Sequence, residues 1–482
     1  MTYFPGQFCG TETCRFSAKR TYFLLERENI MKKRLSFSET LTVGSMLFGL
    51  FFGAGNLIFP VFMGQSAGAN LWPAVVGFLI TAVGIPLMSV AALGMSRSSS
   101  LLDMSSRSGR GYGYFFTCLL YLTIGPFFAI PRCASTSFSV GIRPMIESDD
   151  TAKWMIWVFS LLFFAAVLWF SLRPGKLLTY IGKVLTPLFL ISLAVLAVTA
   201  LIRPIGSASV VEPQTAYQSG AFFTGFLDGY NTMDVLAGLA FGIVVVDAIR
   251  RLGVEDPAYI AGNTVRSGIA GCVIMALIYI VLALIGAQSR SVYELCADGG
   301  EALHLIAKHY FGDFGAVILA VIVTLACLKT AVGLITSCGE MFRSMFPKGP
   351  SYTVWAVGFC ILSFLIATMG LSAIITYSLP VLMFLYPLAI TITLVALFGK
   401  LYNHSKVVYI TTTVLTLIPS AFDFFLSLFK AVGNTAAADK VTEIACSFLP
   451  FFKLGLGWVC PAVIGFVIGL ILYFVLPKKA QA

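Results

Sequence analysis

Several positions break an otherwise apolar chain with groups that could do chemistry. The first is the run Gly49-Leu50-Phe51-Phe52-Gly53-Ala54-Gly55-Asn56-Leu57-Ile58-Phe59-Pro60. Glycine carries no Cβ and lets a helix unwind, which frees amide N–H and carbonyl groups. Freed backbone at bilayer depth is tolerable only against protein, water or a ligand. The half-helix resuming after the break would present donors and a partial positive charge to an anion, and the carbonyls ending the first half would suit a cation. From the glycines alone, close helix packing by small residues is the better account.

A second interruption is Gly229-Tyr230-Asn231-Thr232-Met233-Asp234. An ionisable group inside a membrane is costly and faces a cavity or a partner. Asp228 and Asp234 lie on roughly opposite helix faces, and Asp234 is the deeper; it could meet a cation, or it could cap a broken half-helix through backbone N–H groups. Asp228, nearer the outer end, reads as solvated. Arg132 follows Pro131 within an apolar block, and its donors suit loose carbonyls as a structural lock better than they suit substrate. Lys329 falls near mid-bilayer in Ala326-Cys327-Leu328-Lys329-Thr330, with Ala326, Lys329 and Thr330 spaced to share one helix face.

The elements that must position these groups are membrane helices. Of 482 residues, 58% are hydrophobic and 11% are Asp, Glu, Lys or Arg, against roughly 25% charged in a soluble domain. That excludes a soluble enzyme or a nucleic-acid-binding module. Blocks long enough to span a bilayer fall at about 39–62, 72–95, 114–141, 154–172, 177–202, 222–248, 263–288, 312–337, 352–369, 372–398, 407–428 and 454–476. With the N-terminus inside, 21 of the 32 basic residues lie on the inner side, counting Arg266 at the inner end of the block 263–288, and 8 on the outer, with Arg132, Lys183 and Lys329 deeper within spans. Both termini are therefore expected in the cytoplasm.

The first 30 residues lack the apolar core of a secretory signal, and Met31-Lys32-Lys33-Arg34 reads as a natural start. Thr186-Pro187 predicts a kink. The 11 cysteines show no metal spacing, and Cys296 and Cys446, in outer loops, give little ground for a disulfide. His304, His309 and His404 are expected in loops at no metal-ligand spacing. No cofactor and no metal site are expected.

Taken together, several stretches resemble bacterial branched-chain amino acid carriers, within the leucine-transporter-type fold. They are Phe52–Pro60, Phe78–Pro86, Gly125-Pro126-Phe127-Phe128-Ala129-Ile130-Pro131-Arg132, Pro174-Gly175-Lys176-Leu177-Leu178, Gly229–Asp234 and Ala331-Val332-Gly333-Leu334. The resemblance runs from about residue 39 to 340; beyond that the match is mainly hydropathy. It implies an all-α membrane protein of about twelve helices, with two inverted five-helix repeats, broken first and sixth helices and two extra helices. One consequence is visible in the sequence: the block 222–248 is interrupted near its middle, as the sixth helix should be.

The resemblance also implies roles. A substrate amino acid would be held by Gly53, Ala54, Gly55, Asn56, Thr232, Met233 and Asp234. An ion site would form from Gly49, Phe52, Ala326, Lys329 and Thr330, with Pro131 and Arg132 structural or gating. The family wants a neutral residue at 329. A protonated Lys cannot ligate sodium, but its ammonium could occupy that volume, which points to H+ rather than Na+ as the coupling ion; a static ion pair or a Lys tilted out of the site are the plainer readings. The family also often has an acidic residue near Ser139 and an uncharged one at Asp228, and this chain departs at both.

The expected organisation is a cytoplasmic extension over 1–38, a transport core over 39–398 (repeats about 39–202 and 222–398) and two further helices with a tail over 399–482. The expected function is cation-coupled uptake of branched-chain or similar apolar amino acids, including Met, across a bacterial inner membrane, with the bilayer and the substrate as partners. A membrane enzyme acting on a lipid-linked substrate would need clustered His, Asp or Glu at one face. A channel or sensor would give flux without saturation, or binding without flux. Substrate preference and oligomeric state are not legible.

Overall fold

The first helix begins where the sequence supplies its own cap. Ser36 N–H donates to Glu39 Oε2 at 2.8 Å while the Ser36 side chain accepts from Glu39 N–H, a capping box that satisfies two helix-end donors. Helix α1 (Phe37–Phe51) ends at Phe52, whose ψ of 103° is extended, and α2 (Gly55–Ala67) resumes beyond the glycines. This computed structural model describes residues 34–53, 55–146, 148–172, 190–191 and 193–475. Ala54, Lys183, the stretch 174–178, Thr186-Pro187 and the extension before Arg34 lie outside the described residues.

The chain continues through α3 (Leu71–Leu79) and α4 (Ile85–Met95), joined by one wide turn at 80–84, then α5 (Arg110–Leu122) and α6 (Ala129–Gly141). Between α5 and α6, Gly125 leaves helical geometry at φ −95° and ψ −126°, followed directly by Pro126, which has no N–H to keep the helix regular. Next come α7 (Asp149–Leu172), α8 (Leu193–Ile202), α9 (Ala221–Asp228), α10 (Asp234–Arg251), α11 (Pro257–Ser289), α12 (Gly299–Met345), α13 (Tyr352–Ala367), α14 (Leu371–Leu397), α15 (Lys406–Ala431), α16 (Thr435–Cys446) and α17 (Val459–Val475). Asp256 and Asp298 cap α11 and α12 by accepting backbone N–H groups. Gly312, at φ 65°, bends α12 into a short first arm and a long second one.

Helical segments lie over the twelve apolar blocks as far as these are described, the block 177–202 only from residue 190, but they are not twelve regular rods. Among the described residues, 7 helices are long and apolar enough to cross a membrane, and the bent pair Ala221–Thr232 and Asp234–Arg251 makes up to 8. Gly55–Met95 covers parts of two blocks, and Leu193–Ile202, Tyr352–Ala367 and Val459–Val475 are shorter apolar helices. The count differs because the break at Gly53–Gly55 leaves α1 short, tight turns fuse neighbouring blocks, two apolar helices fall just short of a full span, and the block 177–202 is described only in part.

Packing relies on glycines at two matched places. A Cβ on Gly64 of α2 would stand 1.9 Å from the Ala283 carbonyl oxygen of α11, and one on Gly286 would stand 2.1 Å from that of Val61. Between α3 and α9 the same exchange recurs: Gly77 against the Phe222 oxygen at 2.0 Å, and Gly225 against that of Ala74 at 2.0 Å. Each pair thus packs backbone on backbone, which small residues permit. Helices α10 and α4 are likewise close at Gly238 and Gly242, and α12 lies along α6.

Three expectations are corrected here. His304 and His309 sit on the first helical arm of α12 rather than in loops, and His304 is buried, with Nδ1 2.7 Å from the Val140 carbonyl. Asp228 is half-buried and accepts the Tyr217 hydroxyl instead of standing in solvent. His404 does lie in a loop, where burial, with Arg107, Arg97 and Lys400 nearby, holds its imidazole down to about 4. Cys296 and Cys446 are both unbridged, and Gln65 Nε2 lies 3.5 Å from Cys296 Sγ.

Candidate functional site

The two broken helices meet at mid-molecule. Asn56, in the first turn of α2, is 2% exposed. Its Oδ1 accepts the Gly53 N–H at 2.8 Å, and its backbone N–H donates to the Gly53 carbonyl at 3.2 Å. One side chain therefore pins the unwound segment in place. From its other end, Nδ2 donates to Asp234 Oδ2 at 2.7 Å and also contacts the Tyr279 hydroxyl, which donates to the same Asp234 oxygen at 3.3 Å. The first break, the second break and α11 are thus tied by one buried cluster.

At the second break, Met233 adopts the left-handed conformation (φ 61°), and the flanking helices bend by 44°. Left-handed backbone is uncommon for a residue with a long side chain. Thr232 Oγ1 donates to the Gly229 carbonyl at 2.9 Å and receives the Asp234 N–H at 3.4 Å. Arg132 spans the gap: Nη1 donates to the Asn231 carbonyl at 2.8 Å, and the guanidinium lies 4.8 Å from the centre of the Phe59 ring. It so joins α6 to both broken helices by a hydrogen bond and a cation–π contact. A Cβ on Gly55 would stand 3.0 Å from Arg132 Nη2, so glycine there lets Arg132 approach.

These groups border a cavity of about 320 Å³. Gly53, Gly55, Asn56, Thr232, Met233, Asp234 and Arg132 line its polar end. The walls then run toward one end of the molecule only, along Phe48 and Gly49 of α1, Ala237, Phe241 and Val244 of α10, and Thr330, Gly333 and Ser337 of α12. The residues of the expected ion site, Gly49, Phe52, Ala326, Lys329 and Thr330, all line this same cavity. Thr330 Cγ2 would lie 3.7 Å from a Cβ on Gly53, so α12 faces the first break directly. Lys329 is half-buried. Ala54 lies outside the described residues, and Pro131 is buried one residue from Arg132 without lining the cavity.

Sequence reasoning missed Tyr279, although a hydroxyl tip inside Leu277-Ile278-Tyr279-Ile280 is a polar signal of the kind found at Lys329. It also missed Phe59 beneath Arg132. Ser139, at the position where an acid was wanted, donates to Asp298 Oδ1 at 2.8 Å. A carboxylate thus reaches that spot from the cap of α12.

Comparison with known proteins bears on this geometry. The family described as branched-chain amino acid transport protein matches residues 36–475. The chain is 50% identical over 450 residues to the branched-chain amino acid permease BrnQ of Lactobacillus delbrueckii subsp. lactis, covering 93% of this chain and 100% of that protein. It is 39% identical over 442 residues to the BrnQ permease of Bacillus subtilis, covering 92% and 98%. Among solved structures it is similar to Mhp1, a nucleobase-cation-symport-1 family transporter in a closed conformation with bromovinylhydantoin bound, at TM-score 0.55 and 12% identity, covering 89% of this chain and 91% of that one. It is similar also to MhsT in complex with L-phenylalanine, at TM-score 0.51 and 15% identity, covering 92% and 98%. At these identities the structural likeness speaks for the fold, that of leucine-transporter-type carriers.

Proposed function

The chain belongs to the branched-chain amino acid transport protein family, and from that premise we propose that it carries Leu, Ile, Val or a similar apolar amino acid across a bacterial inner membrane by secondary active transport. It is a transporter and not an enzyme. The observation that carries the substrate reading is the cavity at the two breaks. Its 320 Å³ is at the small end of the roughly 300–1,000 Å³ usual for ligand pockets, and it has a polar end and an apolar wall. The substrate carboxylate meets the unwound backbone between Gly53 and the start of α2 at Gly55, where the helix dipole favours an anion. Its ammonium meets Asp234 and the carbonyls about Thr232, while Asn56 and Tyr279 hold Asp234 in place. The aliphatic side chain lies toward Ile124 and Phe241.

The close glycine packing of α2 on α11 and of α10 on α4, in each case the second half of one broken helix against the helix that follows the other break, supports an inverted repeat. Transport is then one bundle rocking against the other about the site. With the N-terminus cytoplasmic, as the basic bias favours, the cavity opens inward. Arg132 is a structural lock across the breaks. Lys329 takes the role of a coupling cation: it shares the cavity with Gly49, Phe52, Ala326 and Thr330, where its ammonium stands in for Na+, and the transported ion is H+. The test is labelled Leu uptake by proteoliposomes under a sodium or a choline gradient, with and without a pH gradient. Uptake should persist in choline and follow the pH gradient, and Lys329→Thr should lose that dependence. A strict sodium requirement in the unmodified protein would refute the coupling assignment, and failure of branched-chain amino acids to compete would refute the substrate.

A further inference from the structure

Away from the transport cavity, a basic recess lies where α1 begins. It is bordered by Arg34, just before α1, and by Tyr259, Gly262, Asn263 and Arg266 of α11. The backbone that frames it is fixed: Leu35 N–H donates to Asn263 Oδ1 at 3.2 Å, and Asn263 Nδ2 donates to the Tyr259 carbonyl at 2.7 Å. A Cβ on Gly262 would meet nothing within 4 Å, so the floor of the recess is open. Arg34 and Arg266 are exposed, and neither has an ion-pair partner among the described residues. Two acids near it in sequence are engaged in helix caps: Asp256 accepts the Ala258 and Tyr259 N–H groups, and Glu39 closes the cap on Ser36.

The recess runs directly into apolar surface. Tyr259, Gly262, Arg266, Ile269, Val273 and Leu277 recur at helical spacing on one face of α11. Ile269, Val273 and Leu277 are 53%, 52% and 57% exposed. On α1, Phe37 and Leu41 follow Arg34 and are 86% and 56% exposed. Two guanidiniums at the head of two apolar stripes match an anionic headgroup with its acyl chains below. A free phosphate would use the arginines and leave the stripes without a role.

We infer that the recess between Arg34 and Arg266 binds the headgroup of an anionic glycerophospholipid, with its acyl chains along α11 and α1. The site lies on the helix leading into the first break, and it is independent of which amino acid is carried. Native mass spectrometry of the full chain, delipidated and offered phosphatidylglycerol or phosphatidylcholine, tests it without reference to transport. The protein should retain phosphatidylglycerol preferentially, and Arg34→Gln/Arg266→Gln should weaken that retention by roughly tenfold or more while leaving phosphatidylcholine unaffected. Should the double variant fold poorly, Gly262→Trp fills the open floor and should displace the lipid likewise. Equal retention of phosphatidylglycerol by the unmodified protein and a folded variant would overturn the site. Displacement of the lipid by millimolar inorganic phosphate would overturn the lipid assignment in favour of free phosphate.

Discussion

Asn56 is the residue on which the site turns, because it satisfies an amide of the first break with one end and the carboxylate of the second with the other. A buried polar group that loses its partner costs about 1–3 kcal/mol. Asn56→Ala should therefore lower the melting temperature in detergent as well as abolish uptake. Asp234→Asn keeps the shape and removes the charge. Losing a charge-assisted hydrogen bond of about 1.5–3 kcal/mol should weaken substrate affinity by roughly ten- to a hundredfold with little loss of stability. Binding measured by scintillation proximity, beside a thermal melt, separates the two effects. Unchanged Leu affinity in Asp234→Asn would remove this residue from the ammonium site.

Among the elements, the half-helices differ in how firmly they are held. Helices α2 and α9 pack backbone to backbone on α11 and α3 through reciprocal glycines, so no side chain can be added without parting the helices. Gly64→Ala and Gly77→Ala should each cost about 1–3 kcal/mol, as overpacking usually does. Gly358→Ala on α13, where a Cβ meets nothing within 4 Å, should be neutral or slightly stabilising. Thermal melts of the three variants, with fluorescence size-exclusion to check folding, read this directly. Equal losses in all three would show that the matched contacts are not what joins these helices.

For the whole molecule, the cavity extends from the breaks toward the end where α1 starts and α10 and α12 finish. At the opposite end, α12's first arm is seated on α2, a Cβ on Gly299 standing only 2.0 Å from the Ile58 carbonyl oxygen. If that open end is cytoplasmic, Ser337→Cys on a background without other cysteines should react with a membrane-impermeant maleimide much faster in inside-out vesicles than in right-side-out ones. Leu should slow the reaction by filling the cavity. Faster labelling from the outside would reverse the orientation drawn from the basic residues.

Much of the frame was legible because lipid constrains sequence locally. A helix must satisfy its own backbone in the bilayer, so the apolar blocks, the break at Gly53–Gly55 and the interruption before Asp234 can each be read without knowing what lies beside them. Lys329, Ala326 and Thr330 share a face by helical spacing alone, and they do line the cavity together. What spacing along one helix could not supply is which distant groups meet. Asn56 reaches Asp234 and Tyr279, partners 178 and 223 positions away, and Ser139 reaches Asp298 across 159. Those pairings, and the end toward which the cavity opens, were decided by how closely the glycine contacts let separate helices approach, a property of the packed helices together and of none of them alone.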